Sequence, residues 1–165
     1  MKQIALIIAL FFYQNSFSQV ELTYPNYQIE FNFGLHKRIP FNKLKIRVYK
    51  NRKTKQILAH VVSTPSEKSP LWDYSEIDTV YVMPKKKFKS IVDEINCIDI
   101  DSLKLNFNFG ILGKSSSISV GNLSNGLSYR VGSPRKKEEL NYYNTWKQIL
   151  EFVNIDPKIF LRDEE

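Results

Sequence analysis

Short runs in which polar and apolar side chains alternate dominate the chain between residues 27 and 131. The clearest is KLKIRVY at residues 43–49, where every second side chain is aliphatic and the others are Lys, Arg or Tyr. A period of two is typical of a β-strand with one buried face. Similar runs predict strands at 27–33, 56–63, 78–83, 103–109, 118–120 and 127–131. The loops between strands are too short for crossover helices, so the sheet is expected to be mainly antiparallel.

Two segments have a helical period instead. The first is entered at Pro84 and repeats apolar residues at spacings of three and four: Phe88, Ile91, Val92 and Ile95. The second runs from about Pro134 to Val153, with Ser133 as a candidate N-cap, and its apolar positions are Leu140, Tyr143, Trp146, Leu150 and Val153. We therefore predict an α+β fold over residues 19–165, with two amphipathic helices packed on one face of a mainly antiparallel sheet.

The tetrapeptide FNFG occurs twice, at residues 31–34 and 107–110. Each copy is followed, in the same order, by a strand with a tyrosine, a proline with three basic residues, a helix and an Ile-Asp pair. This order raises the hypothesis of a degenerate duplication with halves 27–100 and 103–157. The alternative is convergent local chemistry, because strand-to-helix junctions favour proline and lysine is abundant in this chain.

The N-terminus has the pattern of a secretory signal peptide over residues 1–18. Lys2 precedes an apolar run at 4–13, and Ser16 and Ser18 supply small residues before the expected cleavage site. The run is shorter than the roughly 20 apolar residues that span a bilayer. We therefore expect an exported protein, periplasmic or extracellular, with no stable membrane span.

The chain is basic, with 24 Lys and Arg against 17 Asp and Glu. Nine basic residues and no acid lie between residues 37 and 55. The alternation at 43–49 places part of this charge in one row on a strand, and the link to the next strand adds more. We expect these residues to bind a partner: Lys43, Lys45, Arg47, Tyr49, Arg52 and Lys53. The alternative is a sheet edge that lysines protect against aggregation.

A second basic feature precedes each predicted helix, as PKKK and PRKK. Free backbone N–H groups at a helix start, combined with cationic side chains, make a good site for an anion. The candidate residues are Lys85, Lys86, Arg135 and Lys136. In the alternative, each helix starts later and the basic residues are a solvated lead-in. Glu138 and Glu139 favour that alternative for the second helix, because acids suit the first turn.

Two aromatic residues, Trp72 and Tyr74, lie in a long loop between predicted strands. Exposed aromatic side chains in a constrained loop are typical anchors for a protein or a sugar ring. The alternative is that they fold back as a lid on the core. The single cysteine, Cys97, cannot form an intramolecular disulfide, and we expect it to be buried as a small hydrophobe.

The inventory for catalysis is small. The chain has two histidines and none of the common nucleophile, zinc, P-loop or dinucleotide motifs, so neither a cofactor nor a metal is expected. A set of polar residues leaves a hydrolase of unfamiliar type as an alternative: His60, Asp73, Glu76 and Asp78. That hypothesis requires at least two of them within hydrogen-bonding distance in a pocket.

The sequence therefore favours a small exported binding protein without catalysis, whose partner is an acidic protein or an anionic polysaccharide. A structural or assembly role, in which the sheet edge pairs with another subunit, is the third hypothesis. Nucleic acid is disfavoured as a partner, because no recognition motif is present and the aromatic residues are not interleaved with the cations.

Overall fold

The computed structural model describes residues 28–35, 43–63, 77–99, 114–121, 126–132 and 134–161. Within these ranges the strands are β1 Gln28–Leu35, β2 Lys43–Lys50, β3 Ile57–Ser63, β4 Ile77–Met83, β5 Lys114–Gly121 and β6 Gly126–Val131. The helices there are α1 Lys85–Asn96 and α2 Leu140–Phe152, followed by a 3-10 helix at Pro157–Ile159. The predicted signal peptide, the predicted strand at 103–109 and the loop with Trp72 and Tyr74 lie outside the described residues.

The described strands form one sheet in the order β4-β3-β2-β1-β5-β6. Every neighbouring pair in it is antiparallel. The α+β class and the antiparallel sheet are thus confirmed. Strand β2 lies between β1 and β3, so it is an interior strand, whereas β4 and β6 are the outer strands of the described sheet.

One face of the sheet forms the core. On β1 the side chains of Ile29, Phe31 and Phe33 are buried, and each stands opposite a buried aliphatic residue of β2. The first FNFG copy therefore places its two phenylalanines in the core and Asn32 on the other face. The second copy, at residues 107–110, lies outside the described part of the chain, so the duplication stays a prediction.

Both predicted helices are present and contribute to the same core. Helix α1 follows Pro84 directly, as predicted, and buries Phe88, Ile91 and Ile95. Helix α2 contributes Trp146, whose ring meets Phe31 edge-on with centroids 5.3 Å apart. Edge-to-face aromatic pairs of this kind are favourable beyond the area they bury.

Helix α2 begins at Leu140, later than the predicted start near Pro134. The backbone N–H groups of Glu138 and Glu139 donate to the carbonyl of Arg135, which closes a separate turn before the helix. The Glu139 carboxylate also accepts a bond of 2.7 Å from the Arg135 backbone N–H. As a result Leu140 is the first residue of the helix and is 51% exposed, contrary to its predicted place on the apolar face.

The chain after α2 turns back onto the core. The N–H of Ile155 donates to the carbonyl of Leu150 and that of Asn154 to the carbonyl of Glu151, with Asn154 at a φ of 59°. These bonds form a Schellman motif, which ends a helix with a residue in the left-handed region. Beyond it the Phe160 ring packs edge-on against Phe33 at 4.6 Å. The C-terminal segment is therefore part of the core.

Two local predictions were wrong. Cys97 is exposed rather than buried, because it caps α1 two residues after Ile95, the last buried residue of the helix. The strand predicted at 118–120 is too short, since residues 114–117 also belong to β5, because pairing with β1 outweighs the turn preference of serine. In the part of the chain that the structure describes, no helix has the length and apolar character needed to cross a membrane.

Candidate functional site on the open face of the sheet

The strand side chains that alternate with the core residues form the second face of the sheet, here called the open face. The strands β1 to β3 contribute Gln28, Glu30, Asn32, Lys43, Lys45, Arg47, Tyr49, Leu58, His60 and Val62. The outer strands and β5 contribute Asp78, Val80, Val82, Ser115, Ser117, Ser119, Ser128 and Arg130. All of these side chains are half-buried or exposed. The open face therefore presents charged and polar side chains together with four aliphatic ones, Leu58, Val62, Val80 and Val82.

A basic row crosses the middle of the open face on β2. Lys43, Lys45 and Arg47 alternate with buried aliphatic residues and end at Tyr49, as the period of two predicts. The predicted alternative, a sheet edge protected by lysines, does not apply, because β2 is hydrogen-bonded to a strand on each side. Protection of a sheet edge therefore does not explain this row of like charges.

A single carboxylate on β1 forms ion pairs with two of these cations. Glu30 stands directly opposite Arg47 in the register, and its Oε2 is 3.2 Å from Arg47 Nε and 3.1 Å from Lys45 Nζ. Asn32 Nδ2 donates to the other oxygen, Oε1, at 3.0 Å. Burial by itself would raise the pKa of Glu30, but the hydrogen bonds from Asn32, Lys45 and Arg47 and the charge of Lys45 outweigh it and lower the pKa.

The pairing leaves positive charge available on the basic row. Among the described residues, Arg47 meets Glu30 through Nε, so its two terminal nitrogens keep their donors for another acceptor. Lys43 stands opposite Gly34, which has no side chain that could form an ion pair with it. One carboxylate for three cations gives this part of the open face a net positive charge.

The loop between β2 and β3, at residues 51–56, adds further cations at one end of the row. The Asn51 side-chain oxygen accepts from the backbone N–H groups of Lys53 and Thr54, at 2.9 and 3.1 Å. The N–H of Lys55 donates to the carbonyl of Asn51 at 2.9 Å, with Lys55 at a φ of 59°. The loop is thus a closed turn, and it holds Arg52 and Lys53 in exposed positions.

An apolar corner lies at the same end of the open face, next to the outer strand β4. The register places Tyr49, Leu58 and Val82 side by side across three strands, and Val80 stands opposite His60 in the next position. Val80 is 51% exposed and Val82 59% exposed. The sequence pattern did not predict this corner. In DTVYVM both alternating sets of side chains include apolar residues, so the exposed set can be recognised only when the core face of the sheet is known.

The polar residues assigned to a hydrolase come together only in part. His60 Nε2 lies 2.7 Å from Asp78 Oδ1, across the β3–β4 pair. The Asp78 side chain is 79% exposed, so the pair lies on an open surface. Asp73 and Glu76 lie outside the described residues, and the described part of the chain contains no group of three possible metal ligands.

The two basic motifs before the helices differ in geometry. Lys85 and Lys86 lie in the first turn of α1, exposed, and no side chain caps that turn. Arg135 and Lys136 lie in the turn before α2, and Arg135 Nη1 pairs with Glu138 Oε1 at 3.0 Å. Only the first motif therefore combines lysines with a helix start. Trp72 and Tyr74, the aromatic candidates, are outside the described residues.

A cavity of about 210 Å³ lies where the end of α1 meets the start of α2. Asn141 Nδ2 donates to the Cys97 carbonyl there, at 2.5 Å, and links the two helices. Asp99, Glu138 and Glu139 are among its lining residues, so this cleft is acidic. It is separate from the basic open face.

Comparison with protein-family models gives no match for this chain, and comparison with curated proteins gives none either.

Proposed function

We propose that this chain is a small exported binding protein without catalysis of its own, and that it engages an acidic protein or an anionic polysaccharide. The partner contacts the basic row and the turn at residues 51–56, through Lys43, Lys45, Arg47, Tyr49, Arg52 and Lys53. One observation carries the proposal. The basic row lies on an interior strand, where protection of a sheet edge cannot explain it.

The energetics of the row support the same conclusion. Like charges at neighbouring positions of one strand face repel each other, and each costs stability unless an opposite charge is near. Glu30 supplies one carboxylate for Lys45 and Arg47, while Lys43 stands opposite Gly34 on β1. An acidic partner would neutralise the remaining charge and would also be steered to this surface by it.

Access to the open face depends on where the helices lie. We propose that α1 and α2 both cover the core face, which leaves the open face to solvent. The ring contacts of Trp146 with Phe31 and of Tyr81 with Phe152 support this placement. Ser90 Oγ donates to Gln148 at 2.9 Å, which joins α1 to α2. Export to the periplasm or the outside of the cell is part of the proposal and is supported by the N-terminal pattern at residues 1–18.

A hydrolase is the second candidate, because the His60–Asp78 pair meets the hydrogen-bonding distance that this hypothesis requires, but the pair lies on an open surface and not in the required pocket. Histidine held by a carboxylate is an arrangement that general-base catalysis uses. The purified protein would then hydrolyse ester, amide or glycoside model substrates, and His60→Gln would abolish that activity. Absence of turnover with all three substrate classes would eliminate this candidate.

A pull-down from the export compartment tests the binding proposal. The bait is the protein, a variant with Lys43→Gln, Arg47→Gln and Arg52→Gln, or a control with Lys137→Gln, Lys147→Gln and Lys158→Gln. Glutamine is preferable to glutamate because a carboxylate at position 47 would face Glu30. We expect an acidic macromolecule with the unmodified bait and the control, and its loss with the first variant. Equal recovery by all three baits would refute the proposed surface.

A further inference from the structure

The apolar corner narrows the class of partner, an inference that rests on the proposed function. Tyr49, Leu58, Val80 and Val82 are neighbours on the open face. Two of them, the valines of β4, are more than half exposed. A single exposed aliphatic residue is ordinary, but a contiguous group next to polar side chains is characteristic of a protein interaction site.

Cations border this corner on two sides. Arg47 is next to Tyr49 along β2 on the open face, and the turn with Arg52, Lys53 and Lys55 lies directly beyond Tyr49 and Leu58. On the open face, Glu30 is paired with Arg47 and Lys45, whereas Asp78, whose side chain is 79% exposed, lies beside Val80 and 2.7 Å from His60. An occupant that complements this surface carries apolar side chains at its centre and carboxylates on the sides that face Arg47 and the turn.

We infer that the partner is an acidic protein that seats an apolar side chain against Val80 and Val82. An anionic polysaccharide would satisfy the cations but would leave both valines in contact with water or with hydroxyl groups, which gains no apolar burial. A sugar ring stacks on aromatic faces, and the two most exposed members of the corner are valines. A second copy of this chain is also a poor match, since it would bring one basic row against another and carries a net charge of +7.

Three synthetic polymers of matched length separate these chemistries: polyglutamate, a glutamate–tyrosine copolymer and dextran sulfate. Binding of each to the full chain is measured by titration at about 100 mM salt. The variant is Val80→Thr with Val82→Thr, which keeps the branched shape suited to a strand and adds hydroxyl groups. Leu127→Thr is the matched control, because Leu127 is an exposed aliphatic residue on the other outer strand.

We expect the unmodified protein to bind the copolymer about tenfold more tightly than polyglutamate. The valine variant should lose most of that preference, while its affinity for polyglutamate stays the same, and Leu127→Thr should keep the preference. Three results would overturn the inference but leave the proposed function standing. They are equal affinities for polyglutamate and the copolymer, a preference for the copolymer that survives in the valine variant, and tightest binding to dextran sulfate. Binding to none of the three would overturn both.

Discussion

Glu30 and Arg47 face each other across the β1–β2 pair, with the carboxylate Oε2 3.2 Å from Arg47 Nε. The same oxygen is 3.1 Å from Lys45 Nζ. One acid on an interior strand therefore holds two cations in place without neutralising both. This relationship explains how a basic row can persist on a folded sheet and still offer positive charge to a partner.

The lowered pKa of Glu30 predicts a pH dependence of stability. Its usual value is 4.5, and the folded protein holds it lower. A carboxyl group with a depressed folded pKa stabilises the protein above its unfolded pKa, and that contribution is lost as the pH falls through the folded value. We therefore expect the free energy of unfolding to fall between pH 5 and pH 3, in part through Glu30. Solvent screening keeps the contribution small.

Urea unfolding at pH 7 and at pH 3 measures this effect in the protein and in Glu30→Gln. The variant should be less stable at pH 7 and should lose less stability on acidification. Glu151→Gln, on the exposed side of α2, is the control and should retain the full pH dependence. Identical pH profiles for Glu30→Gln and the unmodified protein would contradict the assigned role of the Glu30 pairs.

Replacing Trp146 tests the core. The side chain is fully buried and packs edge-on against Phe31 and Phe33. We expect Trp146→Ala to lower the free energy of unfolding by about 3–5 kcal/mol, the usual cost of removing a large aromatic side chain. Leu140→Ala, an apolar residue of the same helix that is exposed, should change it by less than about 0.5 kcal/mol. Guanidinium unfolding measures both, and equal effects would contradict the observed orientation of α2.

The end of α2 offers a test of backbone conformation. Asn154 adopts a φ of 59°, in the left-handed region where glycine is least strained. Asn154→Gly should leave stability unchanged or raise it slightly, whereas Asn154→Ala should lower it by about 1 kcal/mol. Thermal unfolding distinguishes these outcomes. An alanine variant as stable as the glycine variant would show that the Schellman motif does not form.

Cys97 should be reactive in the folded protein, because it is exposed at the end of α1. Labelling with a thiol-specific reagent at pH 8, with and without 6 M guanidinium, compares the folded and unfolded thiol. We expect native labelling to be complete within minutes, at a rate within about tenfold of the unfolded rate. Labelling only after denaturation would restore the sequence-based prediction of a buried cysteine.

Much of the fold was predictable from the sequence, because the spacing of apolar residues indicates where its strands and helices form. The alternation at 43–49 is a direct consequence of burial on one side of a strand, and the spacing of Phe88, Ile91 and Ile95 reflects burial on one side of α1. The late start of α2 was not predictable from periodicity alone. It depends on a turn in which Glu139 binds the backbone N–H of Arg135, a bond that the apolar pattern does not encode.

The sequence predicted which residues form the basic row of the candidate site, but not how these residues are arranged relative to the rest of the sheet. Lys45 and Arg47 could be assigned to one row, but their strand's interior position depends on the strand order, which is set by long-range pairing. The contact of both with Glu30 depends on the β1–β2 register. Prediction of the apolar corner needs the same information. Val80 and Val82 can be recognised as exposed only when the outer position of β4 in the sheet and its core-facing side are known.

Retention on a carboxylate cation-exchange matrix tests the central claim most directly. The proteins are the unmodified chain, the variant Lys43→Gln, Arg47→Gln, Arg52→Gln, and the control Lys137→Gln, Lys147→Gln, Lys158→Gln. Each variant removes three positive charges from exposed positions, so the two have equal net charge. If the open face is the anionic binding surface, the first variant elutes at distinctly lower salt and the control close to the unmodified protein. Elution of both variants at the same salt concentration would show that net charge alone governs binding and would contradict the account.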